Sequence, residues 1–446
     1  MHNISILGTS SDSGKSTLTF VIGRILQEAG VNVVPFKAQN VSNNAKVADD
    51  GSEIAIAQFF QAEVLGVPTS YHLNPVLLKS GRGSMASLIV EGKVVADRDV
   101  RDYYRRLNTL KPAVDRAYNY LQKQYDCIIA EGAGSPVELN LMDKDLANIY
   151  IAEKFNTKII LVADIEKGGV FASIYGVYHL LPKKLRDNVI GVIVNKFRGD
   201  MTLFDKGIDI IENEFKIPML GVLPYKALNL GFEDSQSLMN YQQQSNEYGK
   251  RVAVIAYPSM SNYNDLEPLI ANPDISLEFI KANLPLDNFD EIILPGSKLV
   301  IKDLTWLKES GLFDKLQRKK NLNITGICGG YQMMFKTIRD DSGVESDNLN
   351  ITGLGFIDDE IIFQKEKILK RGKYNIFGKE INGFEMHHGI SKKYPIYYEN
   401  NNIRGTFVHG IFDDKLFEIY KKERINDFVN TMKQHINIER LLENVL

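Results

Sequence analysis

The sequence predicts two α/β domains in tandem, each a parallel sheet with helices on both faces. Three observations carry this. Near-continuous apolar runs (Ile4 to Leu7, Cys127 to Ala130, Ile159 to Ala163, Val189 to Val194 and Met219 to Leu223) alternate with helical segments, and strands apolar on both faces belong to covered parallel sheets. The stretch 232–250, FEDSQSLMNYQQQSNEYGK, is polar, glutamine-rich and poor in branched apolar residues, which marks a linker. The rhythm then restarts with Val252 to Ala256, Leu277 to Ile280, Glu291 to Leu294 and Ile324 to Ile327. The expected domains are 1–231 and 251–446, with the tail from 413 forming helices that close the second domain.

Composition agrees. A chain of 446 residues is long for one core, and 44% apolar with 24% charged residues describes an ordinary globular protein. A net charge of -3 offers no basic face for nucleic acid. Two widely separated cysteines, Cys127 and Cys328, form neither a disulfide framework nor a zinc cluster. Nothing reads as a leader or reaches the ~18 consecutive apolar residues of a membrane span. The expectation is a cytoplasmic enzyme or switch protein.

The first strand enters GTSSDSGKST (8–17), and Gly14-Lys15-Ser16-Thr17 opens a helix to about Glu28. Strand, glycine–serine turn and helix form the context of a phosphate-binding loop. Backbone N–H groups of the turn would hold phosphate oxygens, Lys15 would neutralise the outer phosphates, and the Ser16 hydroxyl would bind magnesium. Thr9 stands where the common pattern has glycine. Thr9, Asp12 and Ser13 are not ranked by sequence alone.

The second strand, Val31 to Val34, ends in PFKAQNVSNN (35–44), at the sheet edge where open parallel sheets place ligands. Lys37, with Asn40 beside it, could reach a transferring phosphoryl group or a substrate carboxylate. Asp50, in a loop, and Glu131, directly after a strand, are candidate magnesium carboxylates. A helix is expected over 53–66, a strand pair or lid from 74–79 and 87–95, and a helix over 99–124 whose Tyr103 and Tyr104 pack. Past another strand end, Asn195 could read an adenine or guanine edge, and Lys196 and Arg198 could meet an acidic substrate. Cys127, inside a strand, is expected to be inert.

In the second domain Ile324 to Ile327 runs into Cys328-Gly329-Gly330, a nucleophile elbow in thiol form. The helix start favours thiolate. The Gly329 N–H would face the oxyanion, with a second donor from Leu294-Pro295-Gly296-Ser297, at Gly296. His387, His388 and His409 are the candidate bases. His409, beside the predicted strand Thr406 to Val408, is assigned. Two residues on stands Ile411 rather than an acid, leaving Asp413 and Glu385 as candidates to orient the ring. A nucleotide domain beside a Cys–His pair points to amidation: the thiolate releases ammonia from L-glutamine, while ATP turns a substrate carboxylate into an acyl phosphate that ammonia displaces.

The segments GTSSDSGKS, PFKAQNVSNN, NPVLLK, EGAGSPVELNL, LVADIEKGGVFASIYG and GVIVNKFRGD, with ILPGSK, ICGGYQMM, GFEMHHG and GTFVHGIF, resemble the cobyric acid synthase family of cobalamin biosynthesis over nearly the full length. The resemblance implies a dethiobiotin synthetase-like phosphate-loop domain followed by a class I glutamine amidotransferase-like domain. It also implies ATP, Mg2+ and L-glutamine, magnesium ligands at Ser16, Asp50 and Glu131, and a nucleophile and base at Cys328 and His409. The implied reaction is four successive amidations turning a corrinoid a,c-diamide into cobyric acid. Rival expectations are the sister enzyme that amidates the a and c carboxylates, and a partition or switch protein with an inactive amidotransferase domain. The chain departs from the family in its short linker and tail and in the segment Gly81 to Ser87.

Overall fold

The computed structural model describes residues 1–80, 85–99, 103, 105–231, 249–318, 322–346 and 350–446. Most of the expected linker, the segment Gly81 to Ser84 and Tyr104 lie outside the described residues.

The first domain is built on β1 (Ile4–Gly8), β2 (Val33–Phe36), β3 (Cys127–Glu131), β4 (Lys158–Asp164), β5 (Val189–Phe197) and β6 (Met219–Pro224). These form one parallel sheet in the order β6-β5-β4-β1-β3-β2. Every residue of β1, β2 and β3 is buried, as expected of strands whose two faces both meet apolar side chains. The order reverses at β1, between β4 and β3. Helix α1 (Lys15–Glu28) leaves the carboxyl end of β1 there, and such a switch point is where an open sheet leaves a crevice for a ligand. The predicted helix 53–66 begins later: Glu53–Ala55 pairs antiparallel with Ala45–Val47 before α2 (Ile56–Leu65) starts. Within 74–99, Val76–Ser80, Met85–Val90 and Lys93–Asp99 form an antiparallel meander.

The second domain repeats the plan. Strands β7 (Lys250–Ile255), β8 (Ile275–Ile280), β9 (Glu291–Leu294) and β10 (Asn323–Ile327) lie in the order β8-β7-β9-β10, all parallel. Helix α3 (Gly329–Met333) follows β10. A second sheet, unannounced by any apolar run, contains the long antiparallel pair β11 (Ile357–Ile376) and β12 (Lys379–Ile390). β13 (Ile403–Thr406) extends the parallel sheet beside β10, and β14 (Val408–His409) joins β12.

The tail forms α4 (Lys415–Lys433) and α5 (Ile438–Val445), but it does not close the second domain. Phe417, Ile425, Phe428, Val429, Met432, Leu441 and Val445 join one core with Ile4, Leu18, Ile22 and Ile160 of the first domain. The Asn437 N–H donates to Leu220 O at 2.7 Å, on β6. The chain therefore passes back across the domain boundary, and α4 and α5 complete the apolar core that α1 shares with the first sheet.

Candidate active site

Two centres stand at the sheet edges. In the first, Gly14 caps α1 at φ 98°, ψ 21°. The dihedral requires glycine, and a Cβ there, 2.1 Å from Asn195 Nδ2, would displace the amide that braces the loop. The Lys15 ammonium folds over the loop, donating to Ser10 O at 3.1 Å and Gly134 O at 3.0 Å. The buried Ser13 Oγ has no hydrogen-bond partner among the described residues, an orphan of the kind a phosphate oxygen would satisfy.

Glu131, at the end of β3, is the hub. Its Oε1 accepts from Ser16 Oγ and from Lys37 Nζ, each at 2.7 Å, and its Oε2 accepts from Gln61 at 2.6 Å and Gln58 at 3.2 Å. Burial alone would raise its pKa. The Lys37 ammonium, aided by hydrogen bonds from Lys37, Ser16 and Gln61, outweighs that and holds the carboxyl below its usual range. Asn40 Nδ2 donates to Gln58 Oε1 at 2.9 Å and fixes that amide. Sequence reasoning missed Gln58 and Gln61, though two polar residues three apart on the buried stripe of α2 were the available signal.

The remaining first-domain candidates divide. Asn195 donates to Ser13 O at 2.9 Å, and Lys196 donates to Asp12 O at 2.6 Å and Asp164 Oδ2 at 2.9 Å. These two brace the loop from β5. Arg198 pairs with Glu166 and stacks 3.4 Å over Tyr225. The Thr9 N–H donates to Val162 O, and Thr17 lies in the first turn of α1. Asp50 is exposed, and its carboxylate accepts from Ser52 and the Tyr71 N–H. The structure thus joins Ser16 to Glu131 and leaves Asp50 in its own turn.

In the second centre, Cys328 links β10 to α3 at φ 49°, ψ −103°. Such a dihedral in a non-glycine residue is strained and turns the side chain out of the bend. A Cβ on Gly330 would sit 1.9 Å from Leu294 O, and one on Gly329 2.5 Å from Ser297 N. The elbow therefore presses against the turn that carries Gly296. A Cβ on Gly296 would itself lie 3.4 Å from His409 Cε1, so both expected oxyanion glycines border the centre.

His409 is fully buried on β14, and Cys328, whose thiol donates to Met386 O at 3.6 Å, lies near enough to act on the ring's charge. Its Nδ1 lies 2.6 Å from Asp265 Oδ2, and Asp265 Oδ1 accepts from the Gly410 N–H at 2.8 Å. Burial would depress the imidazolium, but the Asp265 carboxylate and Cys328 together raise its pKa to about 10. Asp265 is thus the orienting acid, and the two expected substitutes are not. Glu385 accepts from Tyr374 and pairs with His387, while Asp413, pushed up to about 6 chiefly by burial, lies beside Gly410. His388 is pushed down to about 4, first by burial and then by Lys367. Cys127, buried in β3, has its thiol raised to about 12 chiefly by burial, so it stays unreactive.

One cavity brings Cys328 together with Ser297, Lys298, Gln332, Glu345 and, from the first domain, Lys79. A larger cleft of about 850 Å³ lies between the domains and borders His409, Asp265, Lys46 and Arg371. Among the described residues no helix is long and apolar enough to cross a membrane.

Residues 4–234 match the model of the CobQ/CobB/MinD/ParA nucleotide binding domain, and residues 251–417 that of the CobB/CobQ-like glutamine amidotransferase domain. The cobyric acid synthase of Acinetobacter baylyi is 60% identical over 99% of both chains. That of a serotype 4b Listeria monocytogenes strain is 41% identical over 94% of this chain and 86% of its own. The probable cobyric acid synthase of Picrophilus torridus is 40% identical over 99% of both. With both domains matched in order, and a relative this similar from end to end, the chain belongs to the cobyric acid synthase family.

Proposed function

We propose that this protein amidates the b, d, e and g peripheral carboxylates of a corrinoid a,c-diamide, giving cobyric acid, with ATP and L-glutamine consumed at each step. The observation that carries the reading is the His409–Asp265 pair set against Cys328 on its strained elbow. A carboxylate that holds one nitrogen of a buried imidazole close to a thiol is the arrangement that makes a thiolate nucleophile. Cys328 attacks the side-chain amide of glutamine, N–H groups at Gly329 and Gly296 receive the developing oxyanion, and His409 delivers a proton to departing ammonia. Water then cleaves the thioester.

In the first domain, loop residues 9–17 hold the nucleotide phosphates, with Lys15 against the outer ones. The Ser16 hydroxyl and the Glu131 carboxylate, 2.7 Å apart, are a hard-oxygen pair suited to Mg2+, which would supply charge neutralisation at the phosphates. Asp50 would have to enter from its exposed turn to complete such a set. Lys37, bonded to Glu131, and Asn40, joined to it through Gln58, are the groups this reading assigns to the substrate carboxylate. Transfer of the outer phosphoryl group to a carboxylate oxygen, with ADP released, gives an acyl phosphate; ammonia attacks its carbonyl carbon and inorganic phosphate departs, leaving the amide.

The deciding experiment incubates the protein with ATP, glutamine and either cobyrinic acid or its a,c-diamide, counting added amides by mass. Up to four additions to the diamide are expected. Two additions to cobyrinic acid, with none to the diamide, would overturn the reading.

A further inference from the structure

The segment after β2 touches both centres. Near its start, Lys37 and Asn40 belong to the Glu131 network. At its end, buried Asn44 reaches into the second domain. Its Oδ1 accepts from the Asn262 N–H at 2.8 Å, and its Nδ2 donates to Tyr263 Oη at 2.5 Å. The next residue helps, with the Ala45 N–H lying 3.3 Å from Asn262 Oδ1.

Asn262 has φ 52°, ψ 36° and opens the 3-10 turn Tyr263–Leu266, which carries Asp265. From that one turn, Asp265 meets His409 Nδ1 at 2.6 Å and the Asn262 amide meets Nε2 at 3.3 Å. Both ring nitrogens are therefore oriented by a single short element. A short 3-10 turn has poor internal hydrogen bonding, and its left-handed first residue relies on its surroundings to hold it there. The two bonds from Asn44 supply that fixing at the turn's first two residues, and Asn44 belongs to the nucleotide-binding domain.

We propose that Asn44 is a positioning residue for the thiol chemistry, acting through the Asn262–Asp265 turn to set the His409 ring, so that glutamine hydrolysis depends on a side chain of the other domain. The proposal rests on the reading of Cys328 and His409 as the glutaminase centre. Asn44 touches no reacting atom, and its effect belongs in kcat: a ring displaced by a fraction of an ångström transfers its proton poorly, while the pocket that holds glutamine is intact.

The test uses the full-length protein as Asn44→Ala, Asn44→Leu and Asn44→Asp, with Cys328→Ala in parallel. Two activities are read: glutaminase kcat and KM, and amidation of the corrinoid driven by ammonium chloride and ATP. Asn44→Ala and Asn44→Leu should lose about 10- to 100-fold in glutaminase kcat, with KM for glutamine and ammonia-driven amidation close to wild type. Asn44→Asp keeps the acceptor for the Asn262 N–H and can accept from Tyr263 Oη, so it should recover most of kcat. An unchanged kcat in Asn44→Ala beside an inactive Cys328→Ala overturns the proposal alone. Equal loss of both activities also overturns it, because the effect is then on folding at large. A Cys328→Ala protein that hydrolyses glutamine like wild type overturns the underlying reading, and the proposal with it.

Discussion

Asp265 Oδ2 lies 2.6 Å from Nδ1 of His409, across 144 residues of sequence. If Cys328 and His409 act as proposed, the anion would stabilise the imidazolium formed when Cys328 gives up its proton, and Asp265→Asn removes that charge while keeping the shape. Glutaminase kcat should fall by about two to four orders of magnitude, and the alkaline limb of its pH profile should move to lower pH. The linkage has a definite sign. His409 has a folded pKa of about 10, above the ~6.5 of an unfolded chain. Its contribution to stability is complete below the lower value and is lost as pH rises through the upper one. Denaturant titrations of wild type and Asp265→Asn should therefore differ most at or below pH ~6.5 and converge toward pH ~10.

The two domains are joined by a second buried contact. Glu53 of the first domain accepts from Lys79 at 2.9 Å and from Lys367 of the second domain at 2.7 Å. Burial would raise the Glu53 pKa, but the two ammonium groups drive it far down. Burial also lowers Lys79 to about 8, against the pull of Glu53. Glu53→Gln leaves two cations facing each other without an anion, a loss of about 3–5 kcal/mol measurable by chemical denaturation at neutral pH. In wild type this contribution is present above the ordinary carboxylate pKa and fades as pH falls toward the depressed folded value.

In the proposed division of labour Lys15 and Cys328 would serve different half-reactions, so damage to one should spare the other. Lys15→Ala removes the ammonium over the phosphate loop, and amidation should drop below detection with either glutamine or ammonia as nitrogen source. Glutaminase activity should remain. Cys328→Ala gives the mirror image: no glutamine hydrolysis, with ammonia-driven amidation intact. Parallel assays of both variants with both nitrogen sources decide it, and loss of both activities in a folded Lys15→Ala protein would contradict the separation.

What the sequence made legible was whatever is fixed locally. Covered parallel strands are largely apolar, so β1 to β10 could each be placed, to within a few residues, from an apolar run. The elbow at Cys328 was readable because only glycine survives beside it, as the 1.9 Å approach at Gly330 shows. The long strands β11 and β12 were not readable. β11 carries Lys365, Glu366, Lys367, Lys370, Arg371 and Lys373, and β12 carries Lys379, Glu380, Glu385, His387 and His388, so neither presents a long apolar run. Asp265 was invisible for another reason: no spacing rule links a carboxylate in one turn to a histidine on a strand of another sheet, and only the folded chain brings them together. Glu131 was found, but its amide partners were not, since Gln58 and Gln61 look like breaks in a buried stripe until the carboxylate they face is known.

The tail offers the sharpest test of the domain arrangement. Leu441 and Val445 are fully buried in the first domain's core, and the backbone at Asn437 and Ile436 meets β6 at Leu220 and Gly221. Leu441→Ala opens a cavity there and should cost about 2–5 kcal/mol. The damage should also be local. Amide hydrogen exchange followed by mass spectrometry should show faster exchange in 219–224 and in α1, with the amides of β10 around Cys328 keeping wild-type protection. A helix pair that closed the second domain would give the reverse pattern, with β10 losing protection first and glutaminase activity falling at temperatures where nucleotide binding still survives.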